Sequence, residues 1–127
     1  MLAAAIWDFT DLRLFVGSNT TTIAGATAAG SVRELNPATG KVIWATPLSG
    51  GPIVGSPSMS AGGVIAAGTY NTQTPAANAV YLLDASDGSV VNTIPEDAPI
   101  FAQPVFADTH FFVATTAGVL TAYSVAP

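Results

Sequence analysis

Short apolar runs closed by small or turn-forming residues follow one another along the chain. Leu14-Phe15-Val16-Gly17-Ser18, Ile65-Ala66-Ala67-Gly68-Thr69 and Phe112-Val113-Ala114-Thr115-Thr116 share one shape. They are rich in Val, Ile and Phe and are bounded by Gly, Pro, Asn and Asp, the composition of β-strands between turns. Alternation is poor. Val80-Tyr81-Leu82-Leu83 is apolar at every position, which suits a strand buried on both faces between neighbouring sheets. No stretch carries a helical stripe. The Ala-rich piece from Ile23 to Ala29 is cut by Gly25 and closed by Gly30, and glycine costs a helix about 1 kcal/mol relative to alanine.

The runs belong to a repeat. A second landmark appears as Gly30 to Asn36, Asn78 to Asp84 and Gly118 to Ser124. The tails of the first two copies match: Asn36-Pro37-Ala38-Thr39-Gly40-Lys41-Val42-Ile43-Trp44 lies over Asp84-Ala85-Ser86-Asp87-Gly88-Ser89-Val90-Val91-Asn92. Leading strands are expected at Ser56 to Met59 and Gln103 to Phe106, with a weaker one around Ala4, Ile6 and Trp7. Pro57 and Pro104 stand equally far before Val64 and Phe111, which aligns those two residues. Each unit is thus four short strands, A to D, over about 40–50 residues, the size of a propeller blade. The expected units are about 1–48, about 53–96 and an incomplete one at about 100–125.

The turns have a chemical reading. Asn36 and Asp84 can accept from backbone N–H groups just ahead. Gly40 and Gly88 supply the positive φ of a hairpin return. The B–C loops differ: Asn19 to Ala29, then Tyr70 to Ala77, then Ala117 alone. Variable loops on a regular scaffold are where binding concentrates.

Composition narrows the function. Of 127 residues, 50% are hydrophobic and only 9% charged, so disorder is excluded. The apolar run Leu2 to Trp7 is far short of the roughly 20 residues a spanning helix needs, and no other run is longer than it. The three cations, Arg13, Arg33 and Lys41, are scattered in a chain of net charge −5. That argues against nucleic acid and against a polybasic membrane patch. There is no cysteine, hence no disulfide and no thiolate chemistry. The start lacks a basic n-region and a cleavage site, so it does not read as a signal peptide. It fits an internal start in a longer gene equally well.

The Leu35-Asn36-Pro37-Ala38-Thr39-Gly40-Lys41-Val42-Ile43-Trp44 segment, with Leu83-Asp84-Ala85-Ser86-Asp87-Gly88, Ser56-Pro57 and Phe15-Val16-Gly17-Ser18, resembles the PQQ-type β-propeller repeat. This is the blade unit of quinoprotein dehydrogenases and their non-enzymatic relatives. The resemblance implies an all-β fold, a partial propeller of two to three four-stranded antiparallel blades from a ring of about eight. It also implies that Trp44 docks between blades and donates its N–H to a backbone carbonyl. Truncating it to alanine is then expected to cost about 3–5 kcal/mol. Asn92 stands at that position in the second copy, which implies a weaker or differently filled seam.

Candidate chemistry is sparse. His110 is the only histidine, expected at the start of a B strand beside Phe111, at the place of Gly63, where an exposed turn without catalytic partners is usual. Asp84 and Asp87 fall on the turn consensus, which outweighs a half calcium site. Glu96-Asp97 reads as a solvated acidic turn, and Asp8 and Asp11 flank the first A–B turn. Asn19-Thr20-Thr21 is formally a glycosylation acceptor. Gly50-Gly51 and Gly62-Gly63 have no helix after them to cradle phosphate. No residue is assigned a catalytic, cofactor-binding or metal-binding role.

Two function classes follow. The first is a fragment of a propeller acting as a non-catalytic binding or assembly scaffold of the bacterial envelope, periplasmic or extracellular. Its expected partners are the remaining blades or another protein, with self-association through exposed blade edges. It needs no cofactor in this chain alone. The alternative is the C-terminal part of a PQQ-dependent alcohol or sugar dehydrogenase, which implies PQQ and Ca2+. The Cys pair of some such enzymes is absent.

Overall fold

The computed structural model describes residues 5–9, 11–107 and 110–124. Strands β1 (Ile6–Asp8), β2 (Arg13–Ser18), β5 (Gly30–Leu35) and β6 (Val42–Leu48) form a first antiparallel sheet in that spatial order. Between β2 and β5 a small hairpin, β3 (Thr21–Ile23) with β4 (Ala26–Ala28), rises from the loop. A second sheet holds β7 (Ser58–Met59), β8 (Val64–Gly68), β9 (Ala79–Asp84) and β10 (Val90–Pro95). A third holds β11 (Val105–Ala107), β12 (His110–Ala114) and β13 (Leu120–Ser124). The first two are meanders running A to D and the third runs A to C, so the partial propeller read from the repeats is the observed architecture. Ile6 and Trp7 of the weakly matched leading strand pair with Phe15 and Leu14. Ala4, the residues before it and the last three residues lie outside the described residues.

The sheets stack face to face because the middle one is apolar on both sides. Ile65, Ala67, Tyr81 and Leu83 pack against Phe15, Val32 and Leu48 of the first sheet. Ala66 and Val80 pack against Phe111 and Val113 of the third. This is why Val80 to Leu83 shows no alternation. Burying each such large side chain contributes about 1.5–3 kcal/mol.

The connections between sheets repeat a device that the strand pattern does not reveal. After β6, Ile53 donates its N–H to Ser18 O at 3.0 Å; after β10, Ile100 donates to Thr69 O at 2.8 Å. Both isoleucines are buried, and each sits on a glycine of the preceding B strand. A Cβ on Gly17 would lie 2.7 Å from Ile53 Cγ2, and one on Gly68 2.5 Å from Ile100 Cγ2. Only a residue without a side chain lets the wedge seat this deeply.

The structure corrects the alignment of the third copy. Met59 pairs with Ile65, but Phe106 pairs with Phe111, one residue sooner after its leading strand. Ile65 and Phe111 are therefore equivalent, and a one-residue slip exchanges the faces of a strand. The B strand starts at His110, as expected, but ends at Ala114 and not with the run to Thr116, and its turn to β13 runs over Thr115 to Val119 instead of Ala117 alone. The loops from Asn19 to Ala29 and from Tyr70 to Ala77 are likewise not bare: the first holds the small hairpin and the second a 3-10 turn at Pro75–Ala77.

The outer strands β6 and β10 expose Val42, Ile43, Val90 and Val91. Pro47 and Pro95 occupy matching places in them. A proline offers no N–H to an incoming strand, and such residues protect sheet edges.

Candidate functional site

The chemistry-bearing side chains gather mainly at two places, the seams between sheets and the edge carrying the B–C loops. At the first seam, Arg13, Phe15, Glu34 and Trp44 point toward the second sheet because the register places Phe15 opposite Glu34 and Glu34 opposite Trp44. Arg13 grips Glu34 with two charge-assisted bonds, Nε to Oε2 at 2.9 Å and Nη2 to Oε1 at 2.8 Å. Glu34 is only 5% exposed. Such bidentate pairs are geometrically specific. The bond donated to Glu34 holds the Arg13 guanidinium pKa above its usual value, against the opposing effect of burial. The same guanidinium donates across the seam to Ala85 O and lies over the Phe15 ring, 4.9 Å from its centroid.

Trp44 Nε1 also donates to Ala85 O, at 3.2 Å, and Thr46 Oγ1 donates to Gly88 O at 2.5 Å. The turn of the second copy is thus clasped by three side chains of the first. The docking expected of Trp44 is present, although its indole is half-buried rather than enclosed. The expected cost of Trp44→Ala therefore falls at the low end of the range for large aromatics, about 3 kcal/mol. A urea titration that finds the midpoint unchanged contradicts this placement.

The second seam is filled differently. Val64, Ala66, Leu82 and Asn92 stand where the first seam has Arg13, Phe15, Glu34 and Trp44. The bulk comes from the other side: Phe111 stacks on Tyr123 at 5.1 Å and lies 5.6 Å from Phe106. Tyr123 donates its hydroxyl to Glu96 Oε1 at 2.5 Å. Burial first, and then this bond to a carboxylate, push the Tyr123 phenol up to about 12. A free tyrosine ionises near 10. A raised acid contributes stability that is complete below pH 10 and lost as pH rises through 12. Absorbance titration should place the phenolate signal that Tyr123→Phe removes near pH 12; a midpoint near 10 contradicts the contact.

The acidic turn residues serve their own turns. Asp84 Oδ1 accepts from Ser86 N at 2.9 Å and Ser86 Oγ at 2.6 Å, and Asp87 Oδ1 accepts from Ser89 N and Oγ at 2.9 and 2.7 Å. The Ser86 side chain, then its backbone N–H, lower the Asp84 pKa. Asn36 Oδ1 plays the same part for Ala38 N and Thr39 N, at 2.9 and 3.3 Å. Asp11 N donates to Asp8 Oδ1 at 3.3 Å. Glu96 is not purely solvated, since it holds Tyr123. His110 opens β12 opposite Ser124, exposed, with its ring stacked 6.5 Å from Phe112. Its counterpart in the corrected alignment is Val64, not Gly63. Asn19 lies in the loop just before the small hairpin, and Gly50-Gly51 and Gly62-Gly63 lie between strands.

The loop edge is built around a residue that the sequence presents only as a strand start. Asn78 is 1% exposed and uses its whole amide. Its Oδ1 accepts from Thr69 Oγ1 at 2.9 Å and Asn71 N at 2.7 Å; its Nδ2 donates to Asn71 O at 2.8 Å and Pro75 O at 2.9 Å. A buried amide so saturated fixes the Tyr70–Ala77 loop. Beside it a recess of about 300 Å3 runs between Thr20, Pro52, Tyr70, Asn71 and Gln73, and Tyr70 meets the exposed Phe101 edge-on at 5.9 Å. Among the described residues no three His, Cys, Asp or Glu side chains come together as a metal site, and no helix is long and apolar enough to cross a membrane.

Comparison with known proteins agrees with this geometry. The model of a family described as outer membrane protein assembly factor BamB matches residues 13–126. Among solved structures, a europium-containing methanol dehydrogenase is similar with a TM-score of 0.63 and 17% identity, over 89% of this chain and 24% of that one. BamB from Moraxella catarrhalis is similar with a TM-score of 0.60 and 15% identity, over 98% of this chain and 35% of that one. The computationally designed Ika4 protein has a TM-score of 0.60 and 11% identity, over 84% of this chain and 64% of that one. The chain thus spans from about a quarter to under two thirds of these structures, and identities this low show the fold alone. No curated protein sequence matches.

Proposed function

The chain belongs to the PQQ-repeat family of the outer membrane protein assembly factor BamB, and from that membership we propose that it is a non-catalytic scaffold of the bacterial envelope, periplasmic or extracellular. Its blades, about 1–48, 53–96 and 100–125, present their uneven B–C loops to other proteins. The remaining blades of a longer propeller are the other partners, meeting the sheet edges left open here.

The observation that carries this reading is the family match over residues 13–126. The use of the polar side chains supports it. Arg13, Glu34, Asp84, Asp87, Glu96 and Tyr123 all serve seams or turns, while the loops stand out as the variable part of a regular scaffold.

Methanol dehydrogenase shares the fold, but fold alone does not fix function. PQQ, when bound with its metal, takes up the electrons of the substrate alcohol. The residues described here do not fit that group: Glu34, Asp84, Asp87 and Glu96 are committed to Arg13, Ser86, Ser89 and Tyr123, and no three His, Cys, Asp or Glu side chains among the described residues converge on a metal.

The test is binding of the immobilised chain to purified outer-membrane assembly machinery. We expect saturable binding that falls at least 5-fold when residues 19–29 are replaced by a two-residue turn. Absence of binding, together with dye-linked alcohol oxidation after loading with PQQ and Ca2+, would reverse the assignment.

A further inference from the structure

We propose that the groove between the second and third sheets receives an aromatic side chain, an indole above all, presented by another protein. The inference rests on the scaffold reading and names one place where such a scaffold would grip a partner.

The chain itself shows what this position accepts. At the first seam the D strand supplies Trp44, whose indole lies against Phe15 and donates to a backbone carbonyl. At the second seam the equivalent D-strand residue is Asn92, and no indole fills the space. A groove of about 350 Å3 remains there, lined by Leu82, Asn92, Ile94, Phe106, Phe111 and Tyr123. That volume is at the low end of small-molecule sites. Its walls are two aliphatic side chains and three aromatic rings, which favour a flat ring in edge or offset contact. Besides Ser124, the polar part of the wall is Asn92. Its Oδ1 accepts one bond, from Thr93 N at 2.8 Å, and a carbonyl oxygen has a second lone pair for an indole N–H. Aromatic residues that enter preformed pockets dominate protein interfaces, and a seam without its tryptophan is such a pocket.

The probe is N-acetyltryptophanamide, titrated into the 15N-labelled chain. We expect saturable amide shifts at Asn92, Ile94 and Tyr123, with a dissociation constant on the order of 0.1–1 mM for a ligand of this size. N-acetylleucinamide should bind at least 5-fold more weakly. Asn92→Trp fills the groove from within and should abolish the shifts, whereas exposed Val91→Ser should leave them unchanged. Intermolecular NOEs from the indole protons to the Phe111 and Tyr123 rings test the site on the unaltered chain, whatever the folding of the variants. Missing shifts, equal binding of the leucine amide, or NOEs to other residues would overturn the proposal. Binding to the assembly machinery is measured separately, so failure of the groove and failure of the scaffold reading are distinguishable.

Discussion

Gly88→Ala is expected to destabilise the protein by about 3 kcal/mol, whereas Gly40→Ala costs only about 1 kcal/mol. The two glycines are equivalent in the repeat. Both have left-handed φ, +77° and +74°, and both donate an N–H of 2.7 Å to the residue opening their turn, Asp84 O and Asn36 O. The backbone term is therefore shared. The surroundings differ. A Cβ on Gly40 would meet nothing within 4 Å, while one on Gly88 would run into the Trp44 indole and approach Thr46 Oγ1 at 2.7 Å. Urea denaturation of the two variants reads the difference. Equal losses would mean that the second turn is not clasped by the first sheet.

Ile53→Ala should cost about 3–4 kcal/mol, within the range for a large aliphatic side chain removed from a core. The side chain is 1% exposed and belongs to the cluster joining the first two sheets. Its partner residue gives a sharper check. Gly17→Ala alone overpacks the contact and should cost about 1–3 kcal/mol. Combined with Ile53→Ala, the new methyl enters the space just vacated. The double variant should then lose at least about 1 kcal/mol less than the sum of the singles. Strict additivity would separate Ile53 from Gly17.

How far the sequence discloses this molecule depends on whether a feature is local. The hairpins at Asn36 and Asp84 are legible because side chain, turn and glycine sit within five residues. Burial of Val80 to Leu83 on both faces is legible because the run lacks alternation. Trp44 is legible through the repeat, though the Arg13–Glu34 pair that flanks it is not, since 21 residues separate two ions whose meeting depends on register. The wedge was available in principle: Pro52-Ile53 and Pro99-Ile100 recur 47 residues apart. They fall in connections, where apolar residues are not read as core. The third copy misleads by one residue because its A–B turn is shorter, and matching Pro57 to Pro104 hides that deletion. Asn78 offers no signal beyond its type, because three of its four bonds reach into a loop whose path it creates.

Consecutive sheets pack face to face through two seams, each closed by an isoleucine seated on a glycine. A NOESY spectrum of the isotope-labelled chain tests this directly. It should show cross-peaks from the Ile53 methyls to the Gly17 Hα protons and from the Ile100 methyls to the Gly68 Hα protons, together with one between the Trp44 indole ring and Gly88 Hα. Sheets that form with their own strand pairings intact but show none of these three contacts would contradict the stacked arrangement.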